Sequence, residues 1–370
     1  MSKQDTAPIK QAASPGAGRL NTLNLMARDG NLLRLFAITI LVFVTMSLLR
    51  PELFFTPDNF SSMAFQFPEF GLLAIAIMIT MLTGGIDLSV VGIANFSGIL
   101  AALTLTRLMP PDASGTQVLL FSLLAVAVSL VTGIVCGLLN GFLVAYVGIT
   151  PILATLGTMQ LFTGIAIVIT QGAAVYGFPD PVTFLGNGSL WIFPVPFLIF
   201  AAFAVAFAVV LNKTAYGFNL YLMGTNPTAA HFSGINNTRM LLKTYLLSGL
   251  MAAVAGFVVL ARTNSAKADY GSSYTLQAIL IAVLGGVNPA GGFGTVLGLV
   301  LAILTLQFLS SGFNMLRFSN FFKEFIWGAV LLLVMVINYL SNTRLARAQA
   351  RRESEPEKQA GLTGGVNPSV

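Results

Sequence analysis

From Ala113 to Pro179 the chain carries no Asp, Glu, Lys or Arg, and a second charge-free stretch runs from Tyr270 to Leu316. Each is far longer than the roughly 20 apolar residues that one helix needs to cross a bilayer. An ionised side chain at mid-bilayer costs roughly 2.5–3.5 kcal/mol on insertion scales, so stretches without charge mark membrane spans. The remainder of the sequence agrees: 9% of its 370 residues are charged and 56% are apolar, whereas soluble domains average roughly 25% charged. So few charges cannot coat a water-soluble globule, and the excess apolar surface must face lipid. The same balance excludes intrinsic disorder, and a single cysteine, Cys136, excludes a disulfide scaffold. The expected fold class is an all-α polytopic membrane protein.

Ten apolar segments are expected, at about Leu35–Leu49, Met63–Leu82, Ser89–Thr106, Val118–Val147, Ile152–Gln171, Leu190–Leu211, Met240–Ala261, Thr275–Gly285, Thr295–Ser311 and Phe325–Leu340. Gly148-Ile149-Thr150-Pro151 divides the first charge-free stretch, and the run from Gly285 to Gly292 interrupts the second, because Gly and Pro in that density break a helix. Thr275–Gly285 is short for a span, so eight full crossings with two re-entrant segments fit as well as ten. This gives a polar tail at 1–34, a transmembrane domain at 35–340 and a basic polar tail at 341–370. With the N-terminus in the cytoplasm, thirteen of the nineteen Lys and Arg fall on the cytoplasmic side, among them Arg34, Lys213, Arg239 and Arg344. Both termini are then cytoplasmic and the number of spans is even. The N-terminal 30 residues contain no apolar core, so no cleaved signal peptide is expected. The pI near 9.6 reflects this orientation device, not a nucleic-acid surface.

Gly84-Gly85-Ile86-Asp87 and Gly285-Gly286-Val287-Asn288 share a pattern, and each interrupts an apolar segment. They suggest a weak internal repeat, as in transporters whose broken helices bring polar ends into the membrane. Asp87 and Asn288 become path candidates, and an ionisable residue in a membrane segment is by default a functional one. Helix-start chemistry offers another reading, in which Asp87 caps the helix that follows. Gln66, Asn95, Asn140 and Gln160 suit a hydroxylated ligand, or equally helix-to-helix hydrogen bonds. Gly133, Gly137 and Gly141 lie on nearly one helical face and allow close backbone packing.

Enzyme classes fail by inventory. His231 is the only histidine, and there is no His-Glu-x-x-His, no Cys-x-x-Cys and no Gly-x-x-x-x-Gly-Lys-Ser/Thr. Neither metal-dependent hydrolysis nor ATP hydrolysis is expected of the chain, so any ATP drive must come from a separate subunit. The polar connection Asn212–Arg239 is too rich in ordered, small residues for a linker. Asn226 before Pro227 starts a short helix through Ala229 and Ala230, with Gly234 as its stop. Such a surface helix can pass force from a docked partner.

Gly84-Gly85-Ile86-Asp87-Leu88-Ser89, the stretch Gly141–Thr158, Gly224-Thr225-Asn226-Pro227 through Asn236, and Val283-Leu284-Gly285-Gly286 with Gly291-Gly292-Phe293-Gly294 occur in one order. Together they resemble the ribose-type permeases of bacterial sugar ABC importers over about residues 35–340. The resemblance implies an inner-membrane subunit that works as a pair, homo- or heterodimeric, with two ATPase subunits carrying Mg-ATP and a periplasmic sugar-binding protein. It also implies that the loop Gly217–Arg239, with Gly217, Gly224, Asn226, Ala229, Ala230 and Gly234, docks in a groove of the ATPase. Val90-Val91-Gly92 departs from the family's usual Val-Gly-Ser, and Ser265–Gly271 is closer to the rhamnose and autoinducer-2 relatives. The alternative from another class is an ion-coupled secondary transporter with Asp87 as its coupling carboxylate.

Overall fold

The computed structural model describes residues 30–336 and 340. Most of both expected tails lies outside the described residues. Residues 30–34, assigned above to the N-terminal tail, are already helical. In chain order the helices are α1 (Gly30–Leu49), α2 (Pro51–Phe54), α3 (Pro57–Met81), α4 (Val90–Leu103), α5 (Gly115–Phe142), α6 (Pro151–Thr170) and α7 (Asp180–Asn187). They continue as α8 (Val195–Lys213), α9 (Ala215–Thr225), α10 (Pro227–Phe232), α11 (Asn237–Thr263), α12 (Tyr274–Leu284) and α13 (Val296–Met315), and a last helix, α14, covers 320–336. Wider π turns at Thr104–Leu108 and Leu143–Val147 extend α4 and α5.

Eight described helices are long and apolar enough to cross a membrane: α1, α3, α4 and α5 with their extensions, α6, α8, α11 and α13. The short α12 and α14 fill the other two expected places. The second span starts at Pro57 rather than near Met63, because the Thr56 hydroxyl accepts the Asn59 amide at 3.3 Å and Pro57 takes the first helical position. The expected Leu190–Leu211 span starts later, at Val195. Its first residues form a hairpin of β2 (Ser189–Leu190) and β3 (Phe193–Pro194), with Trp191 at the tip.

An antiparallel pair of β1 (Val175–Tyr176) and β4 (Ser265–Ala266) ties together the connections 171–194 and 264–273. These mark one end of the bundle, the sheet end. Connections 82–89, 148–150, 214–236 and 285–295 lie at the opposite end. Helices α3 and α11 form the centre. From Gly71 to Leu82, α3 is buried on every side, as suits a helix apolar all round. Large side chains on the outer faces of α1, α5 and α6 are exposed, which fits a lipid-facing surface.

The glycine series makes the predicted close approach. A Cβ at Gly133 would stand 2.4 Å from the Gly249 oxygen, and one at Gly137 would stand 2.3 Å from the Tyr245 oxygen, so α5 and α11 meet backbone to backbone. Gly249 is equally confined, 2.2 Å from the Gly133 oxygen. Gly249→Ala is therefore expected to destabilise the protein by about 1–3 kcal/mol through overpacking. Gly115→Ala, where nothing lies within 4 Å, should change stability by less than about 0.5 kcal/mol. Thermal unfolding in detergent distinguishes the two.

Candidate functional site

Both broken segments end in the same cap. At the end of α3 the Gly84 amide donates to the Met81 carbonyl (2.9 Å) and the Gly85 amide to the Thr80 carbonyl (3.3 Å). At the end of α12 the Gly286 amide donates to Val283 (3.1 Å) and the Val287 amide to Ala282 (2.9 Å). These are Schellman motifs, which need a residue in the left-handed region, supplied by Gly84 at φ 82° and Gly286 at φ 83°. The structural register therefore pairs Gly84 with Gly286, one residue displaced from the sequence match of Gly84 with Gly285. Asp87 and Asn288 are consequently not equivalent positions. Asn288 instead closes its own turn, its side-chain oxygen accepting the Ala290 amide at 3.0 Å.

The two breaks touch. The Gly292 amide donates to the Leu82 carbonyl at 3.0 Å. Gly224, the penultimate residue of α9, sits against both: a Cβ there would lie 1.9 Å from the Leu82 oxygen and 2.5 Å from the Gly292 nitrogen. One at Gly291 would lie 2.7 Å from the Gly224 oxygen and 2.8 Å from the Gly84 nitrogen. The Tyr221 hydroxyl donates to the Gly294 carbonyl at 2.7 Å. Three backbones, from α9 and from both breaks, thus converge without intervening side chains.

The polar connection is ordered, as its composition suggests. Thr214 caps α9 through the Gly217 amide at 3.3 Å. Gly217 fits because a Cβ would meet the Leu211 oxygen at 2.2 Å. Tyr216 pairs with Thr244 at 2.9 Å, and burial pushes its phenol up to about 12, so it stays neutral. The short helix starts and stops where expected: Asn226 accepts the Ala229 amide at 2.9 Å, and Gly234, at φ 84°, forms a third Schellman cap with the Ile235 amide donating to Ala230 at 3.0 Å. Ala230 is buried while Ala229, His231 and Phe232 are exposed, Phe232 at 84%. Asn237 then bonds back to the Pro227 carbonyl at 2.8 Å, which binds α10 to the start of α11.

Asp87 is fully buried and acts as a capping acceptor. Its Oδ1 accepts the Ser89 amide (3.0 Å) and hydroxyl (2.6 Å), and Oδ2 accepts the Ser248 hydroxyl (2.8 Å). The network extends from Asn140 to the Ser89 hydroxyl (2.7 Å) and from Thr158 to Asn140 (2.6 Å). The first break is thereby tied to α5, α6 and α11. The other polar candidates do not join it. Asn95 donates to the Ala268 and Tyr270 carbonyls at 3.0 and 2.8 Å, at the sheet end. Gln66 donates to Ser62 at 2.8 Å, and Gln160 is exposed on α6.

One charged cluster lies apart from all the sequence candidates. Glu69, 1% exposed within α3, takes Arg262 of α11 on both carboxylate oxygens, with Nη2 to Oε2 at 3.1 Å, and accepts the Tyr274 hydroxyl at 3.3 Å. The signal was present: an acidic residue inside an expected span, and an arginine bordering another.

The model of the family "Branched-chain amino acid transport system / permease component" matches residues 59–335. The ribose import permease protein RbsC of Bacillus subtilis is 34% identical over 322 residues, 86% of this chain and 95% of its own length. The autoinducer 2 import system permease protein LsrD of Yersinia enterocolitica is 33% identical over 272 residues, 72% of this chain and 79% of its own. LsrD of Yersinia pseudotuberculosis is 29% identical over 347 residues, 90% of this chain and all of its own. No solved structure matches the chain. The matched region runs from the start of α3 into α14 and contains both breaks and the α9–α10 connection, and the chain belongs to this family of transport-system permease components.

Proposed function

We propose that the chain is the permease subunit of a bacterial inner-membrane ABC importer, moving a sugar or sugar-like polyol while a partner subunit hydrolyses ATP. The observation that carries this is the junction: α9, Leu82–Gly84 and Gly291–Gly294 are in direct backbone contact, and α10 presents an exposed face beside them. A push on α10 therefore reaches both breaks. The names of RbsC and LsrD support a hydroxylated cargo, since one is an import permease for ribose and the others for autoinducer 2. Basic residues at this end, Lys213, Arg239 and Lys243, support a cytoplasmic location for the junction. The sheet end then faces the periplasm and a sugar-binding protein, and a second permease protomer completes the path.

Within that path, Gln160 stands open on α6 and Asn288 lies at the second break, while Gln66 and Asn95 belong to the periplasmic half. Asp87 shapes the path by holding the first break. Its three hydroxyl and amide donors suit an anchor for the break, not a carboxylate that exchanges ions.

Proteoliposomes containing the permease and its ATPase test this with radiolabelled ribose and autoinducer 2. Uptake that requires ATP and the catalytic carboxylate of the ATPase, and survives a protonophore, is expected. Accumulation that persists with an inactive ATPase and collapses with the protonophore would establish a secondary transporter instead.

A further inference from the structure

We propose that Tyr245 is a positioning residue for the first break, and that its hydroxyl takes the Asp87 carboxylate as acceptor in the opposite conformation of the transport cycle. The inference rests on the ATP-driven reading above and adds the element that carries motion from α10 to Asp87.

Tyr245 is the bulkiest of the fully buried side chains, and its hydroxyl has no hydrogen-bond partner among the described residues. A hydroxyl at zero exposure without an acceptor destabilises the conformation that contains it. The hydroxyl lies 3.1 Å from the point a Cβ on Gly85 would occupy, directly beneath the break. One turn further along the same face of α11, Ser248 donates to Asp87 Oδ2 at 2.8 Å. Tyr245 and Ser248 are therefore two donors, three residues apart, that can serve one acceptor in turn.

The exchange has a track and a drive. A relative shift of α11 and the break by three residues, roughly 4.5 Å at 1.5 Å per residue, carries Tyr245 to the level Ser248 now occupies. Steps of about one turn between packed helices are an established form of switching. Along α5, α11 meets Gly133 and Gly137 backbone on backbone and lays Leu242 and the Tyr245 Cβ against Gly141, so α5 presents no side chain at these three contacts. At its other end α11 is joined to α10 by the bond from Asn237 to the Pro227 carbonyl, 2.8 Å. Movement of α10 is thus transmitted to the helix that bears both donors.

A hydrogen bond present in only one of two conformations weights their ratio by about tenfold. Tyr245→Phe removes the donor needed in the opposite state and costs nothing in this one. The permease–ATPase complex in nanodiscs, supplied with MgATP and no sugar, should hydrolyse about tenfold more slowly, while the permease melts at the parental temperature or above it. Ser248→Ala acts the other way: a lower melting temperature and raised hydrolysis. Hydrolysis by Tyr245→Phe within twofold of the parent overturns the inference, as does loss of hydrolysis in Ser248→Ala. If Tyr245→Phe does not accumulate, Ser248→Ala decides alone by the same signs. A parental complex that hydrolyses no ATP contradicts the ATP-driven reading and this inference with it, whereas an active parent matched by Tyr245→Phe contradicts the inference only.

Discussion

Arg262→Met is expected to prevent the permease from accumulating in the membrane. Glu69 is 1% exposed, and the substitution leaves its carboxylate buried without a counter-charge. Removing one partner of a buried ion pair costs about 3–5 kcal/mol, a large part of the roughly 5–15 kcal/mol that holds a domain folded. Arg262 is partly open to the sheet end, which places the loss toward the lower figure. The double variant Glu69→Leu with Arg262→Met removes both charges and should restore most of the protein, since apolar replacement of a buried pair is often neutral. Membrane yield and melting temperature in detergent report both effects. A single variant that accumulates and melts like the parent would mean that the pair contributes no net stability.

Gly224→Val is expected to leave the protein in the membrane and abolish transport. A Cβ 1.9 Å from the Leu82 oxygen and 2.5 Å from the Gly292 nitrogen has no flexible side chain to displace, so α9 must part from both breaks. Uptake in proteoliposomes should fall to background while the variant still enters the membrane. Gly234→Ala separates this effect from backbone strain. Gly234, unlike the helical Gly224, has a positive φ, but nothing lies within 4 Å of its Cβ position, so the cost is limited to about 1–2 kcal/mol for a left-handed alanine. That variant should retain most of its uptake. Equal activity in the two would show that the junction does not couple the breaks.

The spans were legible because charge marks them, and the Asn226–Gly234 helix was legible because its cap, its first-turn Pro and its terminal Gly are all local signals. The α5–α11 contact could be anticipated from three glycines on one face. Other features depended on distant partners. The hairpin at Ser189–Pro194 and the helix Asp180–Asn187 were hidden, since sequence free of charge looks alike inside a bilayer and in a compact surface loop. The repeat is visible in the sequence, but its register is not: Gly-Gly occurs in both breaks, and only the amide bonding shows which glycine takes the positive φ. Asp87 allowed a cap or a path residue, and Ser248, 161 positions away, decides how its carboxylate is held. The role of Glu69 is not legible locally, because its partner Arg262 lies 193 positions along the chain. Convergence of Gly224 with both breaks could not be read from sequence, because steric exclusion of a Cβ by a distant backbone leaves no local pattern.

A photo-crosslinking amino acid placed in turn at Ala229 and at Tyr176 tests the central claim, that the α9–α10 connection is where an ATPase acts on the two breaks. Both positions are exposed, Ala229 on α10 beside the junction and Tyr176 on β1 at the sheet end. Irradiation of the assembled importer in membranes should yield a permease–ATPase adduct from position 229 and none from position 176. An adduct from position 176, or an assembled and hydrolysing complex with none from position 229, would contradict the account.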